Sequence, residues 1–385
     1  MKRFILGLAA CSPLVIMHVA HAQPISVSRD SIRALAGRSY EERRAGLLDI
    51  VSVVRAGSGA PDARASRLLW LAQIAAAWGI HDVAIEAAGF ARVDARHPGL
   101  EVASSVVLAE GYWAQRRLSL ADDALAEGLA AAEMLTGEAR TSARASVLLA
   151  TARIKQGAGQ ADAAIEARRQ LVANLPAQWT ANSKSGAFSN LARLLLAAGQ
   201  TQEGLEAFEQ AAEIELADGD LVGWTSVKSE TLFTRRAAVS VQTWLADANR
   251  LLDDPRFAHS ERGLAVTTHV IARMPEAGLN VEQQLQAVAS RIEQLRPWWN
   301  GTDAEFQEKN VEAWLVIGKF HAMVLESNQR LAEALTALNT VLAEVAPYMA
   351  HTDQFQDTLQ KIAGSMEQRL GLVPRLIEPE AQPQR

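Results

Sequence analysis

Two arginines and an asparagine are the side chains whose types and spacing best suit binding chemistry. Arg153 and Arg193 lie forty residues apart, and Asn190 precedes Arg193 by three residues, about one helical turn. A guanidinium group donates two parallel hydrogen bonds to a carboxylate. If the fold brings the three side chains together, they could clamp an acidic segment or a chain end. The alternative is that they are solvated side chains on an exposed face.

The sequence shows no arrangement of residues for catalysis or for metal binding. Its histidines have neither the HExxH spacing nor a pair four residues apart, and the GxSxG and EF-hand patterns do not occur. We therefore expect a protein that is not an enzyme, with no catalytic residue, no metal and no cofactor.

Tryptophan is abundant, with nine residues against three tyrosines. Most of these rings are expected to pack between helices, because an aromatic side chain can bury about 150–250 Å². Trp298 and Trp299 differ from the rest because adjacent residues at a helix end point in different directions. One of them can pack while the other contacts a partner or ligand at the surface.

The elements that must position these side chains are amphipathic helices in a repeat of forty residues. Residues 188–214 predict two helices joined by a tight turn at Ala198–Gln200. At intervals of forty, the turn column is Gly79, Ser119, Gly159 and Gly199. The small-residue column five positions later is Ala84, Ala124, Ala164 and Gly204. Similarity at a fixed period of this length predicts a solenoid of helix pairs.

The order of residues within the repeat resembles the tetratricopeptide repeat (TPR) family. The residues that carry the resemblance in the last clear unit are Phe188, Leu191, Ala192, Leu195, Gly199, Gly204, Phe208 and Ala211. The resemblance implies an all-α fold, a right-handed α-solenoid of antiparallel helix pairs, followed here by a C-terminal helical module. The family repeat is about 34 residues long, so a period of forty indicates a variant with long helices. HEAT-like helix pairs, whose period is closer to this one, are the alternative.

The resemblance also implies a binding surface. In TPR proteins the first helix of each pair lines a concave groove in which peptides or partner chains lie. By the register of forty, one column of this surface is Gln73, Trp113, Arg153 and Arg193. The neighbouring column is Trp70, Glu110, Ala150 and Asn190. All of these except Ala150 are candidate groove residues.

The first 22 residues have the pattern of a secretory signal peptide. Lys2 and Arg3 precede an apolar segment, and Ala20-His21-Ala22 is a small-residue cleavage site. We expect cleavage after Ala22, a periplasmic location and no stable insertion in a membrane. The alternative is a lipobox at residues 8–11, which would make Cys11 a lipid-modified anchor. Cys11 is the one cysteine, so cleavage leaves a chain without thiols, which suits an oxidising compartment.

Four segments are expected along the chain. They are a signal peptide (1–22), a TPR-like repeat domain (23–253), a C-terminal helical module (254–372) and a disordered tail (373–385). The net charge of −6 argues against a nucleic-acid partner, which would need a concentrated basic face.

The expected function is that of a periplasmic scaffold or adaptor that binds a protein or peptide in its groove. Two alternatives remain from the sequence. One is the ligand-sensing module of an envelope signalling system. The other is the helical superstructure of a cell-wall enzyme such as a lytic transglycosylase, although no compact catalytic domain follows the repeats.

Overall fold

The computed structural model describes residues 29–351, 361–366, 368 and 370. The predicted signal peptide (1–22), the alternative lipid anchor at Cys11 and the predicted tail (373–385) lie outside the described residues. The part of the chain that is described is helical and contains no β-strand. In that part, no helix combines the length and the apolar character needed to cross a bilayer.

The chain divides into two compact units between Asp218 and Gly219. This division does not test where the repeats end, so the boundary predicted after residue 253 stays a prediction. The helices of the first unit are α1 (Arg29–Ala36), α2 (Tyr40–Ala56), α3 (Pro61–Ala77), α4 (His81–Asp94), α5 (Pro98–Ala114), α6 (Leu118–Glu133), α7 (Gly137–Gly157), α8 (Ala161–Ala173), α9 (Ala181–Ala197) and α10 (Thr201–Asp218).

In the first unit, consecutive helices pack as antiparallel hairpins. The hairpins are α3–α4, α5–α6, α7–α8 and α9–α10, and the second helix of each one packs on the first helix of the next. The predicted all-α stack of antiparallel helix pairs is confirmed. Each hairpin buries its apolar faces mainly against its neighbours, as solenoid repeats do.

Each hairpin turns at one residue with a left-handed backbone. These residues are Gly79, Arg116, Gly159 and Gly199, with φ between 60° and 79°. A left-handed residue after the last helical turn caps the free carbonyl groups, and the amide that follows it bonds back into the helix. At the first turn, for example, the Ile80 amide donates to the Ala75 carbonyl at 2.8 Å.

The left-handed residues are 37, 43 and 40 positions apart, so the strict period of forty is not confirmed. The prediction that Ser119 is the second turn is wrong, because Ser119 lies in the first turn of α6. The difference arises from helix length. Helix α7 has 21 residues, whereas the first helices of the other three pairs have 17 each. One extra helical turn in α7, together with two more residues in α6 than in α4, accounts for the longer interval that precedes Gly159.

Counted from the left-handed residues, three buried columns contain only alanine or glycine. Seven positions before the turn they are Ala72, Ala109, Ala152 and Ala192. Five positions after it they are Ala84, Ala121, Ala164 and Gly204. Eight positions after it they are Ala87, Ala124, Ala167 and Ala207. Ala121 therefore occupies the crossing column to which the period of forty had assigned Ala124.

These small residues let the two helices of a pair approach closely. A Cβ atom added at Gly204 would lie 2.7 Å from Cγ of Leu196 and 3.1 Å from the carbonyl oxygen of Ala192. A larger side chain would hold the backbones of α9 and α10 apart. The interpretation of Gly204 as a close-packing residue is confirmed.

The helices of the second unit vary more in length, from 4 to 24 residues. They are α11 (Leu221–Arg235), α12 (Val241–Leu252), α13 (Pro255–Ala258), α14 (Glu261–Arg273), α15 (Val281–Gly301), α16 (Ala304–Ser327) and α17 (Leu331–Val345). The last hairpin, α16–α17, repeats the motif of the first unit. It turns at Gln329, whose φ is 60°, and it buries Ala322 and Ala334 seven positions before and five after that residue.

The helix end expected at Trp298 and Trp299 lies slightly later, because α15 continues through Pro297 to Gly301. Proline in a helix leaves the carbonyl four residues earlier without its amide partner. Pro297 and Glu293 both lie on the exposed side of α15, where water can bond that carbonyl.

Candidate functional site

The left-handed residues define which side chains are equivalent from one hairpin to the next. Six positions before them stand Gln73, Glu110, Arg153 and Arg193. We call these four residues the polar row. Glu110, and not Trp113, is therefore the counterpart of the arginines, and the columns predicted from the period of forty are wrong at the second hairpin.

The structure brings two members of the polar row into an ion pair. The guanidinium of Arg153 on α7 pairs with the carboxylate of Glu110 on α5, and their side chains are 39% and 30% exposed. Burial lowers the pKa of Arg153. The ordinary value for arginine lies so far above neutrality that the group stays charged. Arg153 therefore already holds a carboxylate.

The two tryptophans of the candidate groove are anchored parts of the same surface. Trp70 and Trp113 are partly buried and pack against the core of the first unit. The indole of Trp113 lies over Gly157 of α7, so closely that a side chain at 157 would collide with it. Gly157 thus allows Trp113 to bridge α5 and α7 beside the Glu110–Arg153 pair.

Asn190 and Arg193 are also brought together, within α9. Arg193 donates from Nη1 to Oδ1 of Asn190 at 3.0 Å. Arg193 is exposed and Asn190 is half-buried. This bond ties the exposed guanidinium to a neighbour one turn earlier on the same helix.

The paired tryptophans of the second unit separate as predicted, one inside and one at the surface. Trp299 is fully buried and stacks on Trp314, with ring centroids 5.0 Å apart and planes 8° from parallel. Trp298 is half-buried and stacks on the exposed His259 at 5.1 Å. Phe306 meets the Trp298 ring edge-on at 5.3 Å. Trp298 stays a predicted surface contact.

A cavity in the second unit was missed by the sequence analysis. It has a volume of about 300 Å³ and lies between α12, α14 and α15. Its walls include Thr267 and Arg291, which are twenty-four residues apart and match no known motif. The sequence carried no signal for it because the helices that form it share no common spacing. In the described part of the chain, no group of three or more His, Cys, Asp or Glu side chains could hold a metal ion.

Comparisons with known proteins give a distant structural similarity. No family model matches the sequence, and no curated protein matches it. One solved structure that is similar is the crystal structure of the apo form of RapI. Its TM-score is 0.40 at 10% sequence identity, over 80% of this chain and 84% of that chain. A similarity of this degree identifies neither a family nor a ligand.

Proposed function

We propose that the chain is an exported, TPR-like scaffold that is not an enzyme and that binds a protein or peptide partner along the first helices of its first unit. The observation that carries the proposal is the polar row. Its four side chains take equivalent positions on α3, α5, α7 and α9, and the aromatic rings of Trp70 and Trp113 lie on the same helices.

A repeating row of polar side chains suits an extended peptide. Packed helices lie about 8–10 Å apart, and an extended chain covers that distance with about three residues at roughly 3.3 Å each. Every third residue of a peptide bound along α3, α5 and α7, which pack directly on one another, would then meet Gln73, Glu110 or Arg153 in turn. Indole rings beside the row supply apolar contact area and a hydrogen-bond donor, which is why tryptophan is enriched at interfaces.

The arginines of the row favour a partner that carries carboxylates. Arg153 bonds one carboxylate already, so the site has the geometry for that group. A peptide carboxylate could exchange with Glu110 at the guanidinium of Arg153. The partner that fits best is therefore an acidic segment or a chain end.

Crosslinking in cells tests the surface directly. A photoreactive residue at Gln73 or Asn190, on first helices, should give discrete crosslinked species with a partner protein. The same residue at Gln170 of α8 or Gln210 of α10, both exposed on second helices, should not. Identical crosslinked species from all four positions would contradict a binding surface on the first helices.

A matched pair of arginine variants separates binding from stability. Arg153 and Arg169 are 39% and 40% exposed, and each pairs with one carboxylate on another helix. Arg153→Ala and Arg169→Ala should therefore reduce the melting temperature to a similar, small extent. Only Arg153→Ala should weaken capture of the crosslinked partner, by roughly tenfold or more, because a desolvated charge contact is lost. Equal capture by the two variants would overturn the role of the polar row.

Export is supported by the pattern of the first 22 residues. The mass of the intact protein from a periplasmic fraction should correspond to a chain that begins at Gln23 and carries no lipid. A diacylated chain that begins at Cys11 would contradict both the cleavage site and the unanchored form.

A further inference from the structure

The cavity between α12, α14 and α15 runs from a polar rim to a mostly apolar floor. Ser290 and Gln294 on the rim are exposed, whereas Val270, Ile271 and Met274 on the floor are at most 5% exposed. Ligand pockets commonly enclose about 300–1,000 Å³, with apolar walls and a few fixed polar groups. A volume of about 300 Å³ suits a small molecule and is too small for a folded segment.

The floor also holds a hydroxyl group without a hydrogen-bond partner. Thr267 is 0% exposed, and its Oγ1 atom has no partner. Other buried threonines of this unit donate to a carbonyl of their own helix, as Thr231 does to Val227 at 2.8 Å. An unpaired buried hydroxyl destabilises a fold. Such a group on the wall of a cavity indicates a partner that occupies the cavity.

Arg291 of α15 lines the same cavity and supplies a positive charge. Its side chain is 13% exposed, and it donates from Nη1 to the carbonyl of Leu252 at 2.9 Å. Its second bond, to Oδ1 of Asp253, is 3.4 Å long, and that carboxylate is 71% exposed. A guanidinium has five N–H donors, so these two bonds fix its position and leave donors for an anionic group.

We propose that this cavity binds a small aliphatic carboxylic acid that carries one further hydroxyl or keto oxygen. The carboxylate pairs with Arg291, the apolar body lies on Val270, Ile271 and Met274, and the further oxygen bonds Thr267. The site lies within the second unit. It does not depend on the polar row, which belongs to the first.

Three matched probes distinguish the parts of the proposal in titration calorimetry with the intact protein. α-Ketoisocaproate has the carboxylate, the keto oxygen and a branched apolar body. Isocaproate lacks the keto oxygen and should bind about fivefold to tenfold more weakly, the effect of one neutral hydrogen bond. Isocaproamide also lacks the charge and should bind at least about tenfold more weakly than isocaproate, because charge-assisted bonds are stronger.

Substitution of Thr267 tests the hydroxyl. Thr267→Val keeps the shape and removes the unpaired group, so it should raise the melting temperature of the ligand-free protein. It should also abolish the preference for the keto acid over isocaproate. The matched control is Thr231→Val, which removes a hydroxyl that is already bonded and should change neither the preference nor the affinity.

Substitution of Arg291 tests the charge. Arg291→Gln should abolish the preference for isocaproate over isocaproamide. Arg250→Gln is the control, because Arg250 lies on α12 with its side chain 80% exposed and pairs with Asp247 of the same helix. It should leave both preferences intact.

Two results would overturn the proposal. One is that neither α-ketoisocaproate nor α-hydroxyisocaproate binds at millimolar concentration, in which case water alone satisfies Thr267. The other is that the acids bind and both preferences survive in Thr267→Val and Arg291→Gln, which would place the binding elsewhere. Melting curves of every variant verify that it is folded.

Discussion

The two compact units build their cores from different side chains. In the first unit, alanine and glycine occupy the positions where helices cross, and the largest fully buried side chain among residues 29–218 is Phe208. In the described part of the second unit the largest fully buried side chains are Trp244, Trp299, Trp314 and Phe257. The first unit relies on close approach of backbones, and the second on large rings that fill the space between helices.

This difference determines where repetition is visible. Small residues at a crossing fix one distance between helices, so the same hairpin can recur with the same geometry. Aromatic rings can fill gaps between helices of unequal length, such as α13 with 4 residues and α16 with 24. Each gap then has its own shape, and no period remains in the sequence.

The largest effect is expected when a ring is removed from the second unit. Trp299→Ala leaves a hole beside Trp314 and should reduce the free energy of unfolding by about 3–5 kcal/mol. Urea denaturation measures the loss, and hydrogen exchange of peptides from each unit locates it. Trp298→Ala is the matched control, and because that ring is only half-buried it should reduce the stability by about 1 kcal/mol. Equal losses would mean that the Trp299–Trp314 stack contributes no more than a surface contact.

The corresponding change in the first unit adds volume where the helices cross. Gly204→Leu places a side chain against Leu196 and the backbone of Ala192, and overpacking should cost about 2–3 kcal/mol. Gln202→Leu, on the exposed side of α10, should stay within about 0.5 kcal/mol of the wild type. If the two midpoints of denaturation coincide, close approach does not hold this hairpin together.

Acid should weaken the first unit through one carboxylate. Arg64 on α3 donates to both oxygens of Asp94 on α4, at 2.5 and 2.6 Å. This hydrogen bonding lowers the pKa of Asp94 below its ordinary value of 3.8, although burial opposes the shift. The stabilisation is complete above the unfolded pKa and is lost as the pH falls through the lowered one. Asp94→Asn should therefore reduce stability at pH 7 and weaken its dependence on pH below about 4. Asp123→Asn, on the exposed face of α6, should do neither.

In each unit, the same substitution should stabilise one hairpin turn. Arg116 and Gln329 adopt the left-handed conformation without being glycine, and that conformation strains an L-residue. Arg116→Gly and Gln329→Gly should each raise the free energy of unfolding by roughly 0.5–1 kcal/mol, the strain minus the entropic cost of glycine. Gln115→Gly, one position before Arg116 and with φ of −85°, should lower it instead. Thermal denaturation gives all three values.

The smallest effect is expected from a histidine of the second unit. Burial, with a smaller contribution from Arg296 and Arg330, lowers the pKa of His321 below its ordinary value of 6.5. The neutral form is thus favoured in the folded state. Its contribution to stability is complete above about pH 6.5 and is lost as the pH falls from there through the lowered pKa. His321→Gln should remove this dependence, measured by melting temperature between pH 7 and 5. An unchanged profile would show that another group titrates there.

Much of the fold could be predicted because local signals agreed with the packing. Ser39 with Glu42, and Asn280 with Gln283, form capping boxes, a signal that can be recognised in a sequence. Three of the four hairpin turns carry the glycine that a left-handed residue favours. At the remaining one, Arg116 takes that conformation without glycine, so the sequence offered no marker and the turn was placed at Ser119.

The candidate site was harder to predict because of the geometry of the helix itself. A shift of three residues moves a side chain by nearly one turn, so it stays close to the same face. The apolar pattern of α5 therefore fits both registers, and it could not decide whether Trp113 or Glu110 is the counterpart of Arg153. The left-handed turn at Arg116 settles the register in favour of Glu110. The cavity around Thr267 could not be predicted at all, because its walls come from helices with no common spacing.

The spacing of the hairpins indicates how the chain could change in length. The connections at 95–97 and 134–136 have three residues each, whereas α7, which follows the second of them, is one turn longer than its counterparts. Length has thus been gained between one left-handed turn and the next, while every alanine column keeps its distance from its own turn. Insertions and deletions of this kind leave the crossings unchanged. A lineage could therefore gain or lose a whole hairpin, and change the length of the proposed partner surface, without redesigning the hairpins that remain.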